Sequence, residues 1–548
     1  MNKTPRWPSQ PRILEINTWP WLSELSERFN RRITLADLSY EIFPPEIKYF
    51  DAVWLLGVWT RSPAGKDIAQ HLKSLHEECR RNLPDLTLDD LVGSAFSIYE
   101  YSIEKSLGGT AGIEHVRDLL HKHGKLLVLD FVPNHLGTDN PWLQTHPEWF
   151  LQGTPAELEG DTMNEKRFIR IGSKIFAHGR DPYFPPWIDT VQVKAFSQEF
   201  RDEYVNTLNR IANLCDGLRC DMAMLLTTPI VLKTWEARAG VPLEQEFWEY
   251  LIPKVKNLHP EFKFIAEAYW NLEKEMLRQG FDWCYDKGFY DRLLKAGSAA
   301  IRDYIRENLP YQKKLLRFVE NHDEPRSLAN FGLQRAKVAG LLALTVPGAK
   351  LVYEGQFQGN LLTVPVQLGR RQVERPIPET VEFYKDLLPF LSKHMLDNGH
   401  WQLLQVIIIN DMAAVSGPWH HAQVFAESKN DFIGYLWGFP SHFLMVLVNY
   451  SASLAQGVIA WPIQAKIHGD SDQVEIFDLF GNRTSTRSRY QLESRGLEVA
   501  LSPWGMWVLK IRPGLALDEK LLEINPEEQS EKIHGNEKKI PNKPTTDA

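Results

Sequence analysis

The fold class this sequence predicts is α/β: a (β/α)8 TIM barrel with a small insertion after its third strand, followed by a C-terminal antiparallel β-sandwich domain. Three observations carry the prediction. Eight compact apolar strand signals alternate with helical patterns over roughly 380 residues. Several of those runs are apolar without a break, as suits strands buried on both faces. From about Leu403 the helical periodicity stops, and short strands separated by turn residues replace it. A doubly wound open sheet is the competing architecture, but no G-x-G-x-x-G follows the first strand.

Taken in order, Arg12–Asn17 is the first strand signal, Asp51–Leu56 the second and Lys125–Val132 the third. Between the second and third, Ile113, Val116, Leu119 and Leu120 fall on one face of a helix over about Thr110–His123, which Gly124 stops. A helix over about Ser197–Leu214, with Phe200, Tyr204, Leu208 and Ile211 on one side, leads into the fourth strand, Leu218–Asp221. Strands near Phe264–Ala266, Phe281–Cys284, Leu315–Val319 and Lys350–Tyr353 follow, with helical patterns such as Leu272–Gln279 and Leu333–Leu344 between them. Two connections, Gly57–Gly109 and Leu136–Val193, are too long to be plain loops, and both follow strand C-termini, the face on which barrel enzymes build their sites. The domain boundaries read as 1–11 for an N-terminal extension, 12–135 with 194–395 for the barrel, 136–193 for the insertion and 396–513 for the β-domain. Residues 514–548, charged and short of aromatics, are expected to be a disordered tail.

A net charge of −8 over 548 residues argues against a surface built for nucleic acid or anionic membranes. Cys79, Cys215, Cys220 and Cys284 have spacings that fit neither a zinc site nor a disulfide framework. Met1–Pro11 holds no apolar run of signal-peptide length, and no stretch approaches about 18 apolar residues. The reading is of a reduced, cytoplasmic, soluble protein; the sequence leaves its oligomeric state open.

The chemistry clusters at four predicted strand ends. The third strand ends in Asp130-Phe-Val-Pro-Asn134-His135, the fourth in Arg219-Cys-Asp221, the fifth in Glu267-Ala-Tyr-Trp270 and the seventh in Asn321-His322-Asp323. In a strand, residues two apart share a face, so Arg219 and Asp221 project together. A guanidinium there is expected to hold Asp221 ionised, as a nucleophile toward a sugar carbon requires.

These four stretches resemble the signature regions of the α-amylase family of glycoside hydrolases and transglycosidases, over roughly Arg12–Phe390 in order and spacing. Residues 136–193 resemble the family's domain B, and Gly93–Tyr101 its loop after the second strand. The resemblance implies Asp221 as nucleophile, Glu267 as general acid and then base, and Asp323 as the group that grips sugar hydroxyls and helps distort the ring. It further implies Phe96 as the aromatic that stacks on the sugar, where the family more often has tyrosine, and Tyr101 and Trp270 as further substrate contacts. His135 and His322 would donate hydrogen bonds to the sugar, and Asp130 and Asn134 would organise the site from behind.

Two departures from the family pattern stand out. A Lys-His pair three and four residues after the nucleophile is replaced by Met224 and Leu225. This weakens the case for the family's structural calcium, and no cofactor is expected. Arg326 could bind an anionic group, or equally pair with Glu320 or Glu324. The implied activity is retaining cleavage of α-glucosidic oligo- or polysaccharides through a covalent glycosyl-enzyme. Two alternatives remain: transfer of the glycosyl unit to an acceptor other than water, and a catalytically silent glucan-binding protein.

Overall fold

The computed structural model describes residues 5–162, 165–391, 399–407, 431–462, 465, 467 and 471–513. Eight parallel strands close into a barrel: β1 Arg12–Asn17, β2 Ala52–Leu56, β3 Leu126–Phe131, β4 Gly217–Cys220, β5 Lys263–Ala266, β6 Trp283–Tyr285, β7 Leu315–Arg317 and β8 Ala349–Tyr353. They lie in sequence order around the ring, with β8 hydrogen-bonded back to β1. Every residue of β1 and β2 is buried, the polar Arg12, Glu15 and Asn17 of β1 included, and the closure of β8 onto β1 excludes the open sheet.

The connecting helices form where the apolar period predicts them. Gly109–Lys122 buries Ile113, Val116 and Leu120 against the barrel, and Gly124 ends it with a left-handed φ of +68°. Gln198–Ile211 begins at Ser197, whose hydroxyl accepts from the Phe200 N–H, and buries Phe200, Tyr204, Leu208 and Ile211. The start of β4 is anchored by Asp216, which accepts from Leu127 N–H, Arg117 and His121 at 2.8, 2.8 and 2.9 Å. Arg117 and His121 stand one turn apart on their helix, so one buried carboxylate ties helix, β3 and β4 together. At the same end of the barrel Trp7 lies 5.5 Å from Trp283, centroid to centroid, and its indole donates to Asp216 O.

Both long connections carry structure of their own. The first holds the antiparallel strands Trp59–Arg61 and Ile98–Ile103 and the helices Pro63–His71 and Lys73–Asn82. The second leaves through His135–Gly137 and returns through Thr190–Gln192, which pair antiparallel as a neck. Beyond the neck, the hairpin Phe168–Ile171/Lys174–Ala177 packs a small core of Leu151, Phe168, Ile175 and Ala177.

The C-terminal region folds as a six-stranded and a three-stranded antiparallel sheet. Phe443–Asn449 and Met506–Pro513 lie at the centre of the larger sheet, and Trp437 of the neighbouring strand Phe432–Gly438 donates its indole N–H to Thr345 O of the barrel. Of the predicted strand Leu404–Ile409, only Val406–Ile407 is a described strand, and the tail 514–548 lies outside the described residues. The strands Ala455–Ile459 and Arg483–Ser488 were not anticipated from sequence. All four cysteines are buried free thiols. Among the described residues no helix is long and apolar enough to cross a membrane.

Candidate active site

Ladder register builds the site. Cys220 of β4 lies opposite Ala266 of β5, so the next residue on each strand, Asp221 and Glu267, emerges at the same height. Two-residue alternation turns Cys220 outward and leaves Arg219 and Asp221 facing in. Arg219 is 1% exposed, its guanidinium surrounded by the rings of Trp54, Phe96 and Tyr285. One terminal nitrogen lies 2.7 Å from Asp221 Oδ1, and the other 2.8 Å from Glu267 Oε2 and 3.8 Å from Asp323 Oδ2. One cation therefore holds all three predicted carboxylates.

Each carboxylate has its own setting. Glu267 also accepts from the Met222 N–H and the Tyr269 hydroxyl, both at 2.6 Å. Burial, reinforced by the Glu267 charge, pushes the Tyr269 phenol well above its usual range, so it serves as a donor. Asp323 opens to the cavity with 43% of its side chain exposed. Burial works against its charge, but the His322 imidazolium 2.9 Å away holds it below the ordinary carboxylate range.

The expectation that Arg219 keeps Asp221 at low affinity for a proton is corrected. Burial, with the nearby Glu267 and Asp323 charges, outweighs Arg219 and pushes the Asp221 carboxyl up to about 7. Asp221 therefore retains its proton near neutrality.

A cavity of about 350 Å3 is lined by Asp221, Glu267 and Asp323 together with Phe96, His135, Met222 and Tyr269. Trp187, Asp189 and Thr190 of the insertion and Ser94, Val366 and Gln367 complete it. Phe96 stands against Arg219 and His322, and His135 packs on Trp187 with centroids 4.8 Å apart. Burial drives the His135 imidazole down to about 3, so it is neutral and offers one N–H.

Other predicted residues take different places. His322 does not line the cavity. Its Nδ1 lies 2.5 Å from Glu15 Oε1 and its Nε2 faces Asp323, leaving no N–H for a sugar. Tyr101 is spent on the backbone: its hydroxyl donates to Val132 O and accepts from Val132 N–H. Trp270 packs edge-on against Tyr183, 4.8 Å between centroids, outside the cavity lining. Arg326 is 1% exposed, pairs with Glu320 at 2.8 Å and donates to the Glu354 and Leu362 carbonyls, so it is a structural cation and not an anion receptor. Asp130 does sit behind the site, accepting from the Gly57 N–H at 3.0 Å. Asn134 is locked in a reciprocal amide pair with Gln192.

Met224 and Leu225 turn into the core, and the residue after Asp221 that faces the cavity is Met222, with φ of 42°. Glu15, Tyr269 and Met222 are site residues that sequence reasoning missed. Only Tyr269 carried a signal, its position two residues beyond Glu267.

A calcium ion needs about six to eight oxygen ligands. Among the described residues no group of three or more His, Cys, Asp or Glu side chains could hold a metal ion. The oxygens around the neck are already engaged: Asn134 with Gln192, and Asp139 with the Ser62 hydroxyl and the Ala64 N–H.

No family model matches the chain. An α-amylase (MalA) of Haloarcula japonica is 22% identical over 383 residues, covering 67% of this chain and 46% of that protein. An α-1,4-glucan:maltose-1-phosphate maltosyltransferase of Burkholderia pseudomallei is 24% identical over 292 residues, 50% of this chain and 22% of that protein. The chain thus spans less than half the length of these curated relatives. In fold it is similar to a maltogenic α-amylase (AmyB) of Thermotoga neapolitana, with a TM-score of 0.62, 17% identity, and coverage of 92% of this chain and 99% of that one. A debranching enzyme of Nostoc punctiforme gives a TM-score of 0.59 at 14% identity, covering 93% and 100% of the two chains. The chain is thus similar in sequence to an α-amylase and to maltosyltransferases and in fold to α-amylases, and its closed barrel brings Asp221, Glu267 and Asp323 onto one arginine.

Proposed function

We propose that this protein cleaves α-glucosidic bonds with retention, through a covalent glycosyl-enzyme formed on Asp221. The observation that carries the reading is the bridging of Asp221 and Glu267 by the two terminal nitrogens of Arg219. Carboxyls held on one guanidinium suit the spacing of about 5–5.5 Å needed for direct attack, and leave little room for the water that an inverting pair separates to admit.

In the first step Glu267 gives its proton to the departing glycosidic oxygen as the C–O bond breaks, and Asp221 bonds to the anomeric carbon. In the second, Glu267 takes a proton from the acceptor, whose oxygen displaces Asp221. Asp323, kept anionic by His322, grips sugar hydroxyls and stabilises positive charge developing at the ring, while Phe96 offers its face and His135 a neutral donor. Each proton and nucleophile comes from the chain itself, so the reading calls for no metal or organic cofactor.

A second reading, transfer to a sugar or phosphate acceptor, is favoured by the maltosyltransferases among the relatives. Both readings share the intermediate. NMR of the first-formed anomer from maltooligosaccharides, sucrose or trehalose tests them: a retained anomer is expected, and an inverted one would exclude the covalent route. A labelled acceptor in the same mixture separates transfer from hydrolysis.

A further inference from the structure

One wall of the cavity is built from two connections. The segment after β2 brings Ser94 and Phe96 to its lining, and the segment after β8 brings Val366 and Gln367. These segments are stitched together. Val92 N–H donates to Gln367 O at 2.9 Å and Gly369 N–H to Asp90 O at 2.7 Å, with Leu91 and Leu368 forming an antiparallel bridge between them. The buried Arg61 donates from a single nitrogen to carbonyls of both segments, Gly93 O at 2.6 Å and Val366 O at 2.8 Å. Arg370 grips both oxygens of Asp90, at 2.8 and 2.9 Å, and this bond, the largest influence on Asp90, holds its carboxyl below the ordinary range. Backbone pairing, a bidentate ion pair and a shared buried guanidinium make a fixed wall.

Topology shows which end of the substrate the wall faces. β2 and β8 flank β1, and β5, which carries Glu267 at its end, lies four strands away, directly across the barrel. A general acid must stand beside the departing oxygen, so the leaving group, and later the acceptor, occupy the β5 side. The wall stands across from them, where a longer donor would continue beyond the sugar that Asp221 attacks. Wall and carboxylates line the same cavity of about 350 Å3, which lies near the small end of the roughly 300–1,000 Å3 range of ligand sites.

We propose that the site is a blind pocket for one terminal glycosyl unit, so that the protein acts on non-reducing ends or small α-glucosides and not within a glucan chain. This rests on the roles given above to Asp221 and Glu267. The test compares maltoheptaose, maltoheptaose capped at its non-reducing end by a 4,6-O-ethylidene group, and the small glucosides sucrose, trehalose and p-nitrophenyl α-glucoside. Release or transfer of single glucosyl units from the uncapped chain or a small glucoside, with the capped chain intact, is the expected result. Internal cleavage of the capped chain overturns the blind pocket and leaves the catalytic roles standing. Absence of turnover on every substrate overturns both. Arg370→Ala and Asp90→Ala should raise capped relative to uncapped cleavage by roughly tenfold, the scale on which a pocket rejects an ill-fitting group. An unchanged ratio in folded variants would overturn the assignment of the wall to this stitch.

Discussion

Glu15 and His322, 307 residues apart in sequence, meet at 2.5 Å inside the barrel with both side chains sealed from solvent. Burial opposes a charge on this imidazole, yet Asp323 on one nitrogen and Glu15 on the other raise its proton affinity well above normal. Glu15 is thus a positioning residue: it fixes the imidazolium that fixes Asp323. Glu15→Gln should lower kcat/KM by about 10-fold, the lower end of what outer partners of working histidines contribute. The loss should fall on kcat more than on KM, because Glu15 does not line the cavity, and steady-state kinetics on a folded variant checks it.

Asp221→Asn separates catalysis from stability. Activity should drop by on the order of 10⁴-fold or more, since no other side chain can form the intermediate. Ionisation of Asp221 opposes folding, because its folded value of about 7 lies above the unfolded value of about 3.9. The stability attached to this group is present below the unfolded value and lost as pH rises through about 7. Removing the charge should therefore raise the melting temperature at pH 8, read by calorimetry.

The same proton sets the pH dependence of the reaction. Asp221 holds it below about pH 7 and attacks only once it is lost, so kcat/KM should rise as pH rises through that value. A kcat/KM that is flat or falling between about pH 6 and 8 would contradict the arrangement.

Tyr269→Phe removes one of the two hydrogen-bond donors that, with the Arg219 charge, hold Glu267. A hydrogen bond to a charged group contributes about 1.5–3 kcal/mol, so kcat/KM should fall by about 10–100-fold with little change in melting temperature.

Arg326→Ala should unfold the protein more readily, by about 3–5 kcal/mol in denaturant titration, because Glu320 would be left buried without its cation.

The barrel was legible because strands such as β2 and most of β3 are apolar on both faces and because strand-end motifs recur in order. Asp221, Glu267 and Asp323 were legible from the residue types at those ends. What lay beyond sequence were relationships across the barrel. Glu15 is a lone acid in an apolar strand, with no spacing to mark its partner. Arg326 resembled an anion receptor until its burial and its bond to Glu320 were known. Arg483–Ser488 escaped notice because this edge strand is polar and exposed at nearly every position, so it carries no alternation.

The neck of the insertion has a wider consequence. His135 and Thr190 belong to its two strands and line the pocket, while the hairpin beyond has a small core of its own. Trp187 and Asp189, which lie between that hairpin and the returning neck strand, line the same pocket, and Trp187 packs on His135. The insertion is therefore part of the pocket wall, so a change in its outer part reaches the sugar site through these two residues.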